Sequence, residues 1–356
     1  MYLEQKRGNG EEVSYKITIA DIARQAKVSV ATVSRLYNHK SMVSEGTKAR
    51  VQKAMLELGL EIDDIIMRGA DVPSKKILIN IPTISNPYYS EIVKGAQSAG
   101  TKRGYFVLIN SQHLHNSFES FLYMVKHIDV NGVIILNSID SESIDKLNNT
   151  IPLVQCAEFC DDRPELSYVG IDNLSATQKV MEHILSTGHR KVALISGPGR
   201  YKYSKERRTG YFKALEEAGI GINEDWIVQI PDVDFKLAYS ACISLLNSDN
   251  RPDAVYALSD VFALSAIKAA ETIGLKVPDD IIVSGFDDVD FTGYTSPSIT
   301  TVRQPLYQLG YLSAEVLIDK IEKKNTSVQH IILDTEFIVR ESTFVNKSKK
   351  EVGVNA

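Results

Sequence analysis

Thr18-Ile-Ala-Asp-Ile-Ala-Arg-Gln-Ala-Lys27-Val-Ser29-Val30-Ala31-Thr32-Val-Ser34-Arg35 is the stretch on which the reading of this chain turns. Thr18 is a helix-capping residue, and Ile22, Ala23 and Ala26 follow at helical spacing, which predicts a short helix with one apolar face. Only Lys27, Val28 and Ser29 separate it from a second helix, capped by Ser29 and turning Val33 and Leu36 inward. Two short helices joined so briefly read as a helix-turn-helix. Ser44 opens a third helix with Val51, Ala54, Met55 and Leu58 inward, and Gly59 ends it.

Charge sets this segment apart. The 356-residue chain has net charge −5 and is too long for one compact core. Residues 15–60 carry eight cations and three acids, +5, which leaves −10 for the rest. A basic module ahead of an acidic body is the asymmetry of a nucleic-acid-binding head on a different kind of domain. The expected division is a disordered tail over 1–15, a DNA-binding headpiece over 16–60, a hinge or linker over 61–74, a body over 75–344 and a tail over 345–356. The first residues hold Glu4, Lys6, Arg7, Glu11 and Glu12 with no apolar core, so no signal peptide is expected. No apolar run reaches the roughly 18 residues of a membrane span. Cys156, Cys160 and Cys242 read as reduced thiols, and the expected location is cytoplasmic.

From Lys75 onward, short apolar runs alternate with amphipathic stretches. The runs cover 77–81, 105–109, 133–136, 153–155, 192–195, 254–258 and 281–284. The predicted helices lie near 88–103, 117–128, 174–187, 205–218, 236–247, 260–273 and 306–324. This alternation predicts parallel α/β structure, and its length predicts two doubly wound lobes. Ligands in such sheets bind beyond the carboxyl ends of the strands, here in the cleft between lobes.

The head, with Asn38 and Val43-Ser44-Glu45 extending the match, resembles the headpiece of the lactose/galactose repressor family. The resemblance implies that the second helix enters the major groove, with Val30 and Ala31 near base edges and Arg35 binding guanine. Thr32, Ser34 and Asn38 are implied phosphate contacts, and Thr18 and Ser29 complete the candidate DNA-contact set. Lys27 stands where the family usually has glycine. The family's hinge segment, Tyr-x-Pro-Asn-x-x-Ala-Arg-x-Leu, is matched only by Leu60-Glu-Ile-Asp-Asp-Ile-Ile-Met-Arg-Gly69. Asp63, Asp64 and Gly69 suit a minor-groove wedge poorly, so little DNA bending is expected.

The resemblance continues through the body. Ile84-Ser-Asn-Pro-Tyr-Tyr89, Val169-Gly-Ile-Asp-Asn173, Gly188-His-Arg-Lys-Val192, Arg207-Arg-Thr-Gly-Tyr211, Ser284-Gly-Phe-Asp-Asp288 and Pro297-Ser-Ile-Thr-Thr-Val-Arg-Gln-Pro305 follow in family order. It implies a periplasmic-binding-protein-like pair of lobes that dimerises through the body. It also implies Arg207 and Asp287 as effector contacts, with Tyr88 or Tyr89 stacking on a ring and Glu158 facing the cleft. Ser259 replaces an asparagine that often touches ligand, and Phe235 is the candidate for a missing cleft aromatic.

No Ser/His/Asp set, metal-spaced histidine group or paired-carboxylate motif stands out. The chain therefore reads as a regulator rather than an enzyme, with no catalytic residues, metal or cofactor expected. Its expected partners are operator DNA, a small sugar, amino sugar or nucleoside, and a second copy of itself, with no membrane. The competing reading is a cytoplasmic sugar-binding receptor without direct DNA output.

Overall fold

The computed structural model describes residues 18–38, 43–59 and 75–344, without the side chains of Ser34, Arg35, Tyr37 and Asn38. The tails over 1–15 and 345–356 and the hinge over 61–74 lie outside the described residues. The chain divides into two compact units, with the boundary between Pro73 and Ser74.

The first unit holds α1 (Ile19–Ala26), α2 (Val30–Asn38) and α3 (Glu45–Glu57). Thr18 and Asp21 form a reciprocal capping box at the start of α1. Lys27 ends that helix in the left-handed region, at φ 53° and ψ 47°. This is the conformation a glycine adopts without cost, and it accounts for the residue type usual at that turn. Ile22, Ala23, Ala26, Val33, Val51, Ala54 and Met55 form the buried core, with Val28, Leu36 and Leu58 packed against it.

The second unit runs in the order β1 (Lys76–Ile81), α4 (Tyr88–Lys102), β2 (Phe106–Ser111), α5 (Phe118–His127), β3 (Gly132–Ile135), α6 (Ser141–Asn148), β4 (Leu153–Cys156) and β5 (Tyr168–Ile171). It continues with α7 (Asn173–Ser186), β6 (Val192–Ser196), α8 (Lys202–Glu217), β7 (Ile227–Gln229), α9 (Phe235–Leu246), β8 (Ala254–Ala257), α10 (Asp260–Thr272) and β9 (Ile282–Ser284). It ends with β10 (Thr301–Arg303), α11 (Leu306–Ile321), β11 (His330–Leu333) and β12 (Glu336–Ile338).

Two parallel sheets result, ordered β11-β5-β4-β3-β1-β2 and β7-β6-β8-β9, beside an antiparallel β10–β12 pair. Each sheet is covered by helices, as buried parallel strands require. The chain passes between lobes three times: from β5 to α7, from β10 to α11, and from β11 to β12. The first lobe is closed by α11 lying on α4 at glycine contacts. A Cβ on Gly310 would stand 1.8 Å from the Ile92 carbonyl oxygen, and one on Gly95 2.0 Å from that of Tyr307.

Candidate functional site

In the first unit, Ser29, Val30 and Ala31 are exposed at the start of α2, and Val30 is 52% exposed. Ser29 Oγ accepts the Thr32 amide at 3.0 Å and bonds the Thr32 hydroxyl at 2.8 Å. The Thr18 hydroxyl donates to Asp21 at 2.6 Å. These hydroxyls brace the helix starts, while Val30 and Ala31 present the apolar surface between them. The predicted roles of Ser34, Arg35 and Asn38 fall on side chains outside the described residues.

In the second unit, loops at the carboxyl ends of both parallel sheets converge on a narrow cleft with about 500 Å³ of empty space, the open solvent at its mouth included. Tyr88, Tyr89, Glu158, Arg207, Ser259 and Asp287 all line it. Phe235 does not. It begins α9 behind the Asp234 cap, and its ring stacks on Tyr239 one helical turn away. Val233 lines the wall where an aromatic was sought.

Arg207 is 3% exposed and placed by α8. Its Nε donates to Asn173 Oδ1 at 2.9 Å, and its Nη1 to the Leu258 carbonyl at 2.6 Å and to Asp287 Oδ1 at 3.3 Å. The guanidinium centre lies 3.5 Å from the centre of the Phe286 ring and 4.9 Å from that of Tyr203. Nη2 has no partner among the described residues, which leaves one edge of the fork for a ligand.

Asp287 sits at φ 122°, outside the range an L-residue prefers. Its backbone is clamped there, donating from its amide to Val302 and accepting from Gln304. Gln304 Nε2 donates to Asp287 Oδ1 at 2.7 Å, so Oδ2 is the open oxygen. Burial raises the Asp287 pKa, against the lowering effect of Arg207 and Gln304. Asp260 lies beneath, fully buried, and accepts from the Thr301 hydroxyl and the Val289 amide. Its oxygen stands 2.3 Å from where a Cβ on Gly285 would lie, so any side chain there would displace this buried carboxylate.

On the opposite wall, the Tyr88 hydroxyl donates to Gln304 Oε1 at 3.4 Å, and Tyr89 meets the Tyr88 ring edge-on. Glu158 follows Ala157, whose φ of 63° makes a tight turn closed by the Glu158 amide on the Cys156 carbonyl. That turn aims the carboxylate across the cleft at α8. Glu158 accepts the Lys202 amide at 2.8 Å and the Tyr203 amide at 3.1 Å, and so caps a helix of the other lobe. Burial pushes its pKa up to about 7, although the two amides hold it down. Ser259 also caps a helix, accepting the Phe262 amide at the start of α10.

Asn86, Asn173, Tyr203 and Gln304 line the cavity without having been singled out in the sequence. The first two and Gln304 lie inside quoted motifs, whereas Tyr203 had no signal beyond its place before Arg207. Among the described residues, no group of three or more His, Cys, Asp or Glu could hold a metal.

Residues 18–60 match the model for bacterial regulatory proteins of the lacI family, and residues 181–343 match the periplasmic binding protein-like domain. The HTH-type transcriptional repressor CytR of Escherichia coli K12 is 34% identical over 330 residues, 92% of this chain and 96% of the repressor. The ribose operon repressor of Halalkalibacterium halodurans is 33% identical over 328 residues, 92% of this chain and 97% of that protein. Among solved structures, the transcriptional regulator CelR–cellobiose complex superposes with a TM-score of 0.70 at 28% identity. It covers 92% of this chain and 100% of its own.

Proposed function

The chain belongs to the lacI family of bacterial regulatory proteins, and from that premise we propose how its parts divide the work. The headpiece binds operator DNA, and the central cavity takes a small sugar-like effector that sets operator affinity. One observation carries the effector reading. The Arg207–Asp287 pair leaves Nη2 and Oδ2 open toward the cavity, opposite a tyrosine pair that can face a sugar ring. A planar fork, a carboxylate and an aromatic face are what a hydroxylated ring needs for bidentate bonds and stacking. The ribose named for one relative and the cellobiose bound to another regulator make these two sugars the first candidates here. Amino sugars and nucleosides follow.

On the DNA side, α2 enters the major groove with Val30 and Ala31 against base edges and Arg35 reading guanine. Thr18, Ser29, Thr32, Ser34 and Asn38 are assigned to the backbone. The headpiece spans 16–60, the hinge 61–74 and the effector body 75–344. The protein acts in the cytoplasm, as a binding protein rather than an enzyme. Among the described residues no helix is long and apolar enough to cross a membrane. A homodimer is favoured by the edge strand β2, which exposes Phe106, Leu108 and Ile109.

A gel shift on DNA upstream of the protein's own coding region, with ribose, cellobiose, glucosamine and nucleosides in turn, tests both halves. One ligand should change the operator midpoint. At about 100 times its dissociation constant it should also stabilise the chain by roughly 2.7 kcal/mol. Absence of DNA binding overturns the regulator reading. Binding that no ligand of these classes alters overturns the effector reading.

A further inference from the structure

A second cavity, with about 970 Å³ of empty space counting the open solvent at its mouth, lies beside the central one, and Glu158 forms part of the wall of both. Its walls come from both lobes. Ser138 and Gln155 belong to the first, Arg200 and Lys205 to the second. The Ser138 hydroxyl donates to the Arg200 carbonyl at 2.8 Å, holding the two walls together.

The carboxylates around this cavity are already engaged. Asp140 caps α6 by accepting the Ser143 amide at 2.9 Å. Asp162 accepts from the Ser141 hydroxyl at 2.6 Å and from Arg163 at 3.1 Å. Lys202 Nζ lies 2.6 Å from Asp161 and 2.7 Å from Glu206, and Glu158 holds the start of α8.

The groups left over are donors. Gln155 is 1% exposed, and its Oε1 accepts the Cys160 amide at 3.1 Å, which fixes Nε2 as the free end. That Nε2 has no partner among the described residues, and neither does the buried Arg200 Nε. The exposed Lys205 ammonium forms no ion pair among them either. A buried donor without an acceptor is costly, and a ligand oxygen would restore the missing bond.

We propose that this side cavity is a second ligand site for a small oxyanion, the phosphate or carboxylate group of a small molecule. The Gln155 amide, the Arg200 guanidinium and the Lys205 ammonium hold it. The wall carries five acids against Arg200, Lys202 and Lys205, but Lys202 pairs with Asp161 and Glu206 and Arg163 pairs with Asp162, so the unpaired donors are the groups a ligand oxygen can bond. Because its donors stand on both lobes, the ligand binds best when the lobes are together. It thereby biases the same lobe equilibrium as a central effector without entering the central cavity.

The test melts the full chain, free of DNA and sugar, in an amine buffer. Inorganic phosphate, succinate and sodium chloride are compared at matched ionic strength. Phosphate or succinate should raise the melting temperature above the chloride control, and the one that does so names the group. In the double variant Arg200→Gln with Lys205→Gln, the apparent dissociation constant should rise about tenfold or more. Gln155→Glu keeps the acceptor for Cys160 and turns the donor end into an oxygen, so it should abolish the response. Stabilisation by neither anion beyond chloride overturns the proposal, as does a response undiminished in the double variant. DNA and sugar are absent throughout, so a negative result leaves the central-cavity reading standing.

Discussion

Glu158 and Lys202 stand on opposite walls of the cleft, and the carboxylate of the first accepts the backbone amide of the second at 2.8 Å. A side chain from one lobe thus completes a helix of the other. With Lys202–Asp161 at 2.6 Å and Ser138 on the Arg200 carbonyl, it makes this side of the cleft a polar clasp. Separating the lobes must uncap α8, so the cap biases the body toward closure.

The clasp should be sensitive to pH. The folded-state pKa of Glu158 is raised from 4.5 to about 7 by burial, with Glu206 adding to the rise and the two amides and Arg207 opposing it. Between these values the folded chain binds the proton more tightly than the unfolded chain, so this group's contribution to stability falls as pH rises through the window. Glu158→Gln removes that dependence. Asp260 and Asp287 are also raised, but they are common to both proteins and cancel in the difference. Urea melts from pH 5 to 7.5 should show the wild-type stability relative to Glu158→Gln declining, by at most about 1.4 kcal/mol per pH unit. A difference constant across that range would remove Glu158 as the titrating group.

Arg207 and Asp287 should couple. Arg207→Ala strands a buried carboxylate and should cost about 3–5 kcal/mol, besides any loss of effector response. The double variant with Asp287→Ala should cost less than the two single losses together, by roughly 0.5–3 kcal/mol. Arg207→Lys keeps the charge but cannot reach Asn173 and Leu258 at once, so it should retain the fold and lose effector-induced stabilisation. Additive denaturation energies in the cycle would show that the pair is not an energetic unit.

Lys27→Gly should stabilise the headpiece. The left-handed conformation costs an L-residue roughly 1–2 kcal/mol, and glycine loses about 0.5–1 kcal/mol of that gain to unfolded-state entropy. A net gain near 0.5–1 kcal/mol is expected, read as slower hydrogen exchange of the α1 and α2 amides in the full chain. Faster exchange would mean that the lysine makes a compensating contact.

Gly310→Ala should weaken the first lobe, since its Cβ would stand 1.8 Å from a backbone oxygen of α4. Overpacking of this kind costs typically 1–3 kcal/mol, and here the obstacle is main chain rather than a movable side chain. An unchanged urea midpoint would show that α4 and α11 can slide apart freely.

The headpiece was legible because its information is local. Thr18, Ser29 and Gly59 mark boundaries that the structure keeps, and Ile22, Val33 and Val51 face the same core. The central strands and long helices of the body were legible from apolar runs. What escaped notice was mostly short: helix α6 buries only Ile144 and Leu147, and β7, β10 and β12 are three residues each, too brief to show a period. Strands β5 and β11, four residues each, also went unread as strands; Gly170 interrupts the first and His330 opens the second, so neither is a plain apolar run. In the cavity, Arg207 and Asp287 were reachable through resemblance, while Asn173 and Gln304 matter because folding brings them to those two charges. Phe235 was misjudged from nearness in sequence, since the Asp234 cap starts a helix and carries the ring away. The sequence presented Glu158 as facing the cleft, but nothing in it revealed the helix that it caps.

The three crossings between lobes bear on how the chain is made. Within the second unit, strands β1 to β5 leave the ribosome first, yet their lobe waits for α11 to cover α4 and for β11 to pair with β5. The whole core of the other lobe is synthesised in between. The lobe begun first is therefore completed only after the core of the other, and until Leu306 and the residues after it emerge, the glycine face of α4 has nothing to rest on. Every residue lining the central cavity lies at or before Gln304. A chain terminated just beyond that point would carry the complete binding site in its sequence while lacking the helix and edge strand that complete the first lobe.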